Sequence, residues 1–361
     1  MAKKKLKFDL KKLNWGSFVG ADLGVDLGTA NVLIYAEKKG VVIREPSVVA
    51  VDKNTGKILQ VGADARNMLG RTPGNVVAMR PLKNGVIADH EMTVKMLQML
   101  FRRATQSSII NPKPRVVICV PSGVTEVEER SVINAAIEAG ARRVYLIEEP
   151  LAAALGANLP IEGANGHMIV DIGGGTTDVA VLSLNGVANS SSVKVAGDAF
   201  DDAIARHVRR KHNMVIGQVT AEEIKIRVGC VYPRPEDIYM DVKGRDAQTG
   251  LPRVENVYAS EIYEVLRRPA RQIADEVLAV LEETSPELVG DIAINGITLT
   301  GGGSQIWGMR ELITERTGIA CTLADNPESC VAFGCGKSLG WINTMQEGPA
   351  NLARKRLMRQ E

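Results

Sequence analysis

Aromatic side chains are scarce in this chain. Phe, Trp and Tyr together make up 4% of its 361 residues, so a core must be built from aliphatic side chains, alanine and glycine. A disulfide framework is lacking too. Cys119, Cys230, Cys321, Cys330 and Cys335 are odd in number and widely spaced, with no Cys-x-x-Cys pair. That excludes a stapled scaffold or a zinc motif and leaves reduced thiols of a cytoplasmic protein. His90, His167, His207 and His212 show no metal-ligand spacing. No apolar run approaches a membrane span, and the lysine-rich start lacks the apolar stretch of a secretory signal, so a cytoplasmic location is expected. A strong charge bias is also missing. A net charge of +2 excludes the basic excess of a nucleic-acid binder, and no nucleic-acid partner is expected.

What is present suits two globular domains, because 361 residues with 45% hydrophobic and 24% charged side chains exceed one average domain. Residues 1–18 stand apart, with six lysines alternating with Leu6, Phe8, Leu10, Leu13, Trp15 and Phe18. Strands are expected at 19–26, 32–35, 41–43 and 48–51, then a helix over 91–104 and a strand at 115–120. The next helix, 125–139, opens on the capping box Thr125 and Glu128 and closes at Gly140. A strand at 144–147 and a helix at 151–155 complete the first half. The order then restarts with strands at 167–171, 179–184 and 192–195 and a helix over 198–210. Later elements are a long helix at 260–283, a strand at 297–300, and helices at 305–317 and 329–339. Strands followed by alternating strand and helix predict an α/β fold, a mixed sheet covered by helices. Asp26-Leu-Gly-Thr-Ala-Asn-Val-Leu-Ile-Tyr35 matches Asp171-Ile-Gly-Gly-Gly-Thr-Thr-Asp-Val-Ala-Val-Leu182 in design. Each is a strand ending in Asp, a glycine turn with hydroxyls, and a second strand, so the fold is read as duplicated.

The two turns carry the first chemistry. Gly and Thr between antiparallel strands leave backbone N–H groups free for a phosphate, because glycine permits close approach. One such turn alone reads as hairpin geometry, but two in equivalent places would hold a triphosphate from both sides. Asp26 and Asp171 precede the turns; acids cannot attract a polyanion directly, yet they can hold hydrated Mg2+. Thr300-Gly-Gly-Gly-Ser-Gln305 joins a strand to a helix, where small residues let a nucleoside lie on the backbone near a helix N-terminus. The same cluster also serves as a tight connection. Glu222 and Lys225, in Thr220-Ala-Glu-Glu-Ile-Lys225, share a helix face and can bind ribose and base, or form a solvated pair. In Glu148-Glu149-Pro150, a carboxylate at a strand end can orient water against a γ-phosphate. The same residues also read as a helix start with Pro at the first position and acids on the dipole.

The set Asp26-Leu-Gly-Thr-Ala-Asn31, Glu148-Glu149-Pro150-Leu-Ala-Ala-Ala154, Asp171-Ile-Gly-Gly-Gly-Thr-Thr-Asp178 and Thr300-Gly-Gly-Gly-Ser304 resembles the actin/Hsp70/sugar-kinase superfamily. Arg44-Glu-Pro-Ser-Val-Val-Ala50, Met68-Leu-Gly-Arg-Thr-Pro-Gly74, Arg80-Pro81, Gly85-Val-Ile-Ala-Asp89 and Ser329-Cys-Val-Ala-Phe-Gly-Cys-Gly-Lys337 narrow the resemblance. From about residue 20 to 340 the chain is similar to the MreB/Mbl family. The resemblance implies a duplicated actin-like (RNase H-like) ATPase fold, with two domains of two subdomains each around a nucleotide cleft. Domain I would span 19–160, with a small part near 51–83, completed by a C-terminal helix at 333–345. Domain II would span 161–332, with its small part near 200–258, and a basic tail would occupy 346–361. The cofactors implied are ATP or ADP with Mg2+. Gly28, Thr29, Ala30 and Asn31 would contact phosphates from the first turn, and Gly173, Gly174, Gly175, Thr176 and Thr177 from the second. Asp26 and Asp171 would hold magnesium through water, while Glu149, assisted by Thr176, would position the attacking water. Glu222, Glu223, Lys225, Gly301, Gly302, Gly303, Ser304 and Gln305 would hold ribose and adenine. Asp178 stands where many relatives carry Glu.

The resemblance also implies self-assembly into filaments, an anionic inner-membrane surface and rod-complex membrane proteins as partners, and a peripheral place at the membrane's inner face. Residues 1–18 suit an anionic leaflet, where each basic residue contributes about 1 kcal/mol, against a merely solvated segment. Leu6, Leu10 and Leu13 share a helical side, but Phe8 and Trp15 fall elsewhere. Ile109 and Ile110, in Ser107-Ser-Ile-Ile-Asn-Pro112, lie where the resembled family inserts a hydrophobic loop. Two relatives of the superfamily compete as readings. A small-molecule kinase would need an aspartate base and segments enclosing an acceptor, and no such insertion is evident. An Hsp70-like chaperone would need a peptide-binding domain beyond the nucleotide fold.

Overall fold

The computed structural model describes residues 22–105 and 113–343. The first half opens with β1 (Leu23–Leu27), β2 (Asn31–Ala36) and β3 (Gly40–Pro46), antiparallel neighbours in a meander. A small three-stranded sheet follows, from β4 (Val49–Asp52), β5 (Ile58–Val61) and β6 (Val76–Met79), with the short helix α1 (Ala63–Asn67) between the last two. The ribbon β7 (Leu82–Lys83) and β8 (Val86–Ile87) leads into α2 (His90–Thr105). Next come β9 (Arg115–Val120), α3 (Glu126–Glu138), β10 (Arg143–Glu148) and α4 (Glu149–Gly156). The Thr125–Glu128 capping box closes reciprocally at the start of α3, which satisfies donors that a helix leaves open.

The second half repeats the plan with β11 (His167–Ile172), β12 (Thr177–Ser183) and β13 (Gly186–Val193), then α5 (Gly197–His212). Another small sheet joins β14 (Met214–Val215), β15 (Tyr239–Asp246) and β16 (Pro252–Tyr258), with α6 (Gln218–Val228) inserted. The chain continues through α7 (Ala259–Glu282), α8 (Pro286–Asn295), β17 (Ile297–Thr300), α9 (Met309–Thr317), β18 (Cys321–Leu323) and α10 (Cys330–Ser338). The two large sheets run β3-β2-β1-β9-β10 and β13-β12-β11-β17-β18. In both, a three-stranded antiparallel meander is extended by two parallel strands. The duplication seen in the two Asp-glycine turns is therefore a duplication of whole sheets.

Three aliphatic cores hold this frame. One lies among β1–β3, α2 and α3; a second among β11, β12, α5 and α7; a third joins the halves through α4 and α10. In that third core glycines bring the two helices together. A Cβ on Gly334 would strike the Ala152 carbonyl, and one on Gly156 the Cys330 carbonyl. The other face of α10 lies on β1, where Gly24 meets the Cys335 and Gly336 backbone, and the Cys335 thiol reaches the Val25 carbonyl at 3.7 Å. All five cysteines are free thiols. Among the described residues no helix is long and apolar enough to cross a membrane.

Several expected boundaries move. The strand expected at 192–195 begins at Gly186, because Leu184 and Asn185, both at positive φ, form a two-residue hairpin turn; the Asn-Ser-Ser-Ser stretch lacks β-formers and conceals it. The helix expected from 305 starts at Met309, since Gly308 at φ 86° breaks the chain after a 3₁₀ turn over Gly302–Gln305. The helix expected at 329–339 runs over Cys330–Ser338 and passes into a 3₁₀ turn over Leu339–Trp341, so it begins before the 333–345 that the resemblance implied, a range whose end lies outside the described residues. The β15–β16 hairpin and α8 are additional elements. Leu6, Phe8, Leu10, Trp15, Ile109, Ile110 and the basic tail lie outside the described residues.

Candidate functional site

The C-terminal ends of β1, β11 and β17 and the start of α4 converge, and each delivers chemistry. Asp26 is the penultimate residue of β1 as Asp171 is of β11, and cross-strand pairing sets Asp178 of β12 directly opposite Asp171. Like charges facing each other across a ladder are destabilising, so this pairing marks a site rather than a stabilising contact. Glu149 begins α4, with Pro150 in its first turn, and its carboxyl hydrogen-bonds to Asp171. The Glu148-Glu149-Pro150 segment is therefore a helix start that also brings the Glu149 carboxyl against the acids.

Burial dominates the electrostatics. It lifts Asp26 to about 7, with the Asp171 charge adding to the effect. It lifts Asp178 to about 7 as well, against the Ser122 N–H that donates to Asp178 Oδ1 at 2.9 Å. Glu149 is driven well above the ordinary carboxyl range, first by burial and then by the charges of Asp178, Asp171 and Asp26. Asp171 is also raised by burial, but the Thr300 hydroxyl, donating at 2.8 Å, and the bond from Glu149 favour its charged form. Burial and the neighbouring charges thus favour the protonated form of Glu149, hydrogen-bonded to Asp171. None of the four acids is ion-paired among the described residues, and Asp178 Oδ2 is buried without a hydrogen-bond partner. An all-oxygen set short of positive charge fits a hard dication such as Mg2+.

The glycine turns close around these acids. Thr29 Oγ1 accepts from the Gly85 N–H at 2.9 Å, and Ser47 Oγ donates to the Gly28 carbonyl at 2.6 Å. The two turns meet: a Cβ on Gly174 would come within 2.7 Å of the Ala30 Cβ, and one on Gly175 within 2.6 Å of Thr29 Oγ1. They touch rather than stand apart as the two sides of an open clamp. Gly301, at φ 82°, and Gly303 press against the Ile172 carbonyl, so the third turn rests on the second. The N-terminus of α5 closes the other side, where the Asp198 N–H donates to the Gly174 carbonyl at 2.7 Å.

Other expected residues are placed less simply. Thr176 is buried beside Asp178. Thr177 is fully buried and donates to the Val195 carbonyl at 2.7 Å, so its hydroxyl is committed to the sheet. Asn31 starts β2, exposed. Glu222 and Lys225 share a face of α6 but do not pair with each other. Glu222 pairs with Arg66 of α1, 2.5 Å away across the cleft, and Lys225 with Asp201 of α5 at 3.0 Å. Glu223 is exposed on a different side of α6. Gln305 donates to Glu328 at 2.9 Å, and Ser304 to the Gly301 carbonyl at 2.6 Å. Gly302 lies in the same 3₁₀ turn. Sequence reasoning assigned no role to Ser122, Asn84, Gly85, Thr300 or the Arg80–Asp198 pair, 2.7 Å apart across the cleft. Arg80, Gly85 and Thr300, like Asp178, had a local signal as members of segments already singled out; Ser122, Asn84 and Asp198 had none.

The sequence profile described as MreB/Mbl protein matches residues 20–347. The chain is 49% identical over 326 residues to the cell shape-determining protein MreB of Escherichia coli (strain K12), covering 89% of this chain and 94% of that protein. It is 47% identical over 318 residues to the cell shape-determining protein Mbl of Bacillus subtilis (strain 168), covering 88% and 95%. The crystal structures of Spiroplasma citri MreB5 bound to ADP and to AMPPNP superpose with a TM-score of 0.85 at 39% identity, covering 90% of this chain and 97% of MreB5.

Proposed function

The chain belongs to the MreB/Mbl protein family and has its actin-like fold, and on that premise we propose that it binds and slowly hydrolyses ATP, assembles into filaments on the inner face of the cell membrane, and there organises cell-wall synthesis to maintain rod shape. The observation that carries the ATPase reading is the convergence of three buried carboxyl groups and the half-buried Glu149 with three glycine turns at the ends of matching strands. The nucleotides bound to the Spiroplasma citri relative support the same reading. The two sheet systems act as two domains, each with a small subdomain, hinged at the α4–α10 crossing.

Asp26 and Asp171 would hold Mg2+ through water, and the ion would neutralise phosphate charge. The backbone N–H groups of residues 28–31 and 173–176 cradle the phosphates. Glu149 orients the attacking water once its proton has left, with Thr176 steadying the neighbouring Asp178. Glu222 and Lys225, with Gly301–Gln305, receive ribose and base. Because Glu222 is held by Arg66 and the turns touch, binding parts the turns and exchanges that ion pair for the nucleotide. The kinase and chaperone readings gain no specific observation.

The test is phosphate release and electron microscopy of the purified protein with ATP and magnesium on anionic liposomes. Filaments on the vesicles, dependent on ATP and accompanied by phosphate release, are expected. ATP binding without filaments at any protein concentration would overturn the cytoskeletal reading.

A further inference from the structure

Away from the cleft, the small sheet of the second half brings together groups that their spacing in the sequence conceals. His207 and His212 lie five positions apart on α5, and Glu261 comes from the first turn of α7. Against the expectation from spacing, the structure gathers them: His207 Nε2 and His212 Nε2 lie 2.8 and 2.9 Å from the same oxygen, Glu261 Oε2. All three donor atoms lie within 4.8 Å of one another. His207 and Glu261 are 8% and 7% exposed.

We propose that His207, His212 and Glu261 form a binding site for a single zinc-class transition-metal dication. A tetrahedral zinc ion with ligands at about 2.0–2.1 Å keeps its donors roughly 3.3 Å apart, so each imidazole–carboxylate separation need only open by about half an ångström, while the two imidazole nitrogens already lie within 4.8 Å of each other. Two imidazoles and one carboxylate select zinc-class metals over magnesium or calcium, which take oxygen. The ligands are oriented in advance. Glu261 Oε1 accepts the Tyr258 N–H at 2.8 Å as part of the α7 capping box, which turns Oε2 toward the imidazoles. Glu255 Oε2 stands 3.8 Å from His212 Nδ1, beyond hydrogen-bond reach as it stands but placed to close in as the outer carboxylate that commonly fixes a ligating histidine. Three ligands leave the fourth position to water.

One group competes. Lys211 Nζ lies 2.9 Å from Glu261 Oε2, on a side chain that is about half exposed. Three donors crowd one carboxylate oxygen, more than its two lone pairs accept well. The ion would replace two of these donors, while Lys211 swings to solvent. Occupied, the site pins the end of α5 to the start of α7.

The experiment titrates zinc chloride into untagged full-length protein against a chromophoric chelator and repeats the measurement with cobalt chloride. One equivalent is expected to bind, with the visible absorption of a four-coordinate cobalt centre and a rise in thermal midpoint. Glu255→Gln should weaken binding about 10-fold. His212→Ala should weaken it further, and His207→Ala with His212→Ala should abolish it. Cys321→Ser, which alters the most accessible described thiol, should change nothing. Lys211→Ala should tighten binding, an effect that a purely structural hydrogen-bond network does not produce and that keeps the test informative if a histidine variant fails to fold. Zinc affinity unchanged in His212→Ala, affinity unchanged or weakened in Lys211→Ala, or no binding at tens of micromolar zinc would each overturn the site.

Discussion

Two carboxyl groups show how competing effects are decided at the scale of one residue. Glu149 sits among three other acids, which together with burial favour its protonated form against Asp171. If it positions the attacking water, Glu149→Ala should keep nucleotide binding and lose turnover by roughly 10²–10⁴, the usual worth of a positioned base. Filaments should then persist in the ATP state, and phosphate release at the parental rate would remove Glu149 from the mechanism. Asp201 is a simpler case, because the Lys225 ammonium 3.0 Å away favours its charge while burial opposes it. Burial wins, and Asp201 stands at about 6 rather than the ordinary 3.8. A raised folded value means that the contribution to stability is complete below 3.8 and is lost as pH rises through 6, since the folded state then binds the extra proton. Denaturant midpoints of the parent and Asp201→Asn should therefore separate in the parent's favour as pH falls from 7 to 5. A simple surface ion pair would give the opposite slope.

At the scale of elements, the fold depends on how closely α4 and α10 approach. No side chain separates Gly334 from the Ala152 carbonyl, and neither backbone can yield without moving a whole helix. Gly334→Ala should cost about 1–3 kcal/mol, as overpacking of a tight core does, read as a lowered denaturant midpoint. Gly290, within α8 and with open space at its Cβ, is the control: Gly290→Ala should stabilise by about 0.4–1 kcal/mol. A gain at both positions would mean that helix propensity, not the crossing, governs the result. Elements of this kind were legible where their signal is local. The Thr125–Glu128 box, the proline-led α4 and the two Asp-glycine hairpins follow from neighbouring residues, and so did the acids at their ends. The rest depended on distant partners. Glu222 and Lys225 share a helix face as their spacing requires, yet Arg66 and Asp201 engage them from 156 and 24 positions away. His207, His212 and Glu261 meet only because the small sheet folds α5 onto α7. The first part of β13 stayed hidden because its serines carry no β signal, and its start is set by a turn of positive-φ residues.

For the whole molecule, polymerisation and the lysine-rich residues 1–18 should cooperate, and affinity arithmetic gives the reason. One segment with six lysines and a few apolar side chains binds a bilayer only marginally and reversibly, as a single acyl chain does. A filament presents many copies on one face, so each later contact is intramolecular and avidity rises about 10²–10⁴-fold. Monomers should therefore remain largely off the membrane while ATP-bound filaments sit on it. Deleting residues 1–18 should weaken liposome binding and leave ATP hydrolysis nearly intact, because every acid and glycine turn of the cleft lies from Asp26 onward. Changing Ile109 and Ile110 to Ser as well should remove what remains. Salt should weaken the basic contribution and spare the apolar one, since screening acts on charge and not on burial. Co-sedimentation with anionic and neutral liposomes, for the parent, each single change and the combination, separates these effects. If the combined variant still pellets with vesicles as the parent does, attachment lies elsewhere, and the basic stretch Arg354-Lys-Arg-Leu-Met-Arg359 is the remaining segment with the charge to supply it.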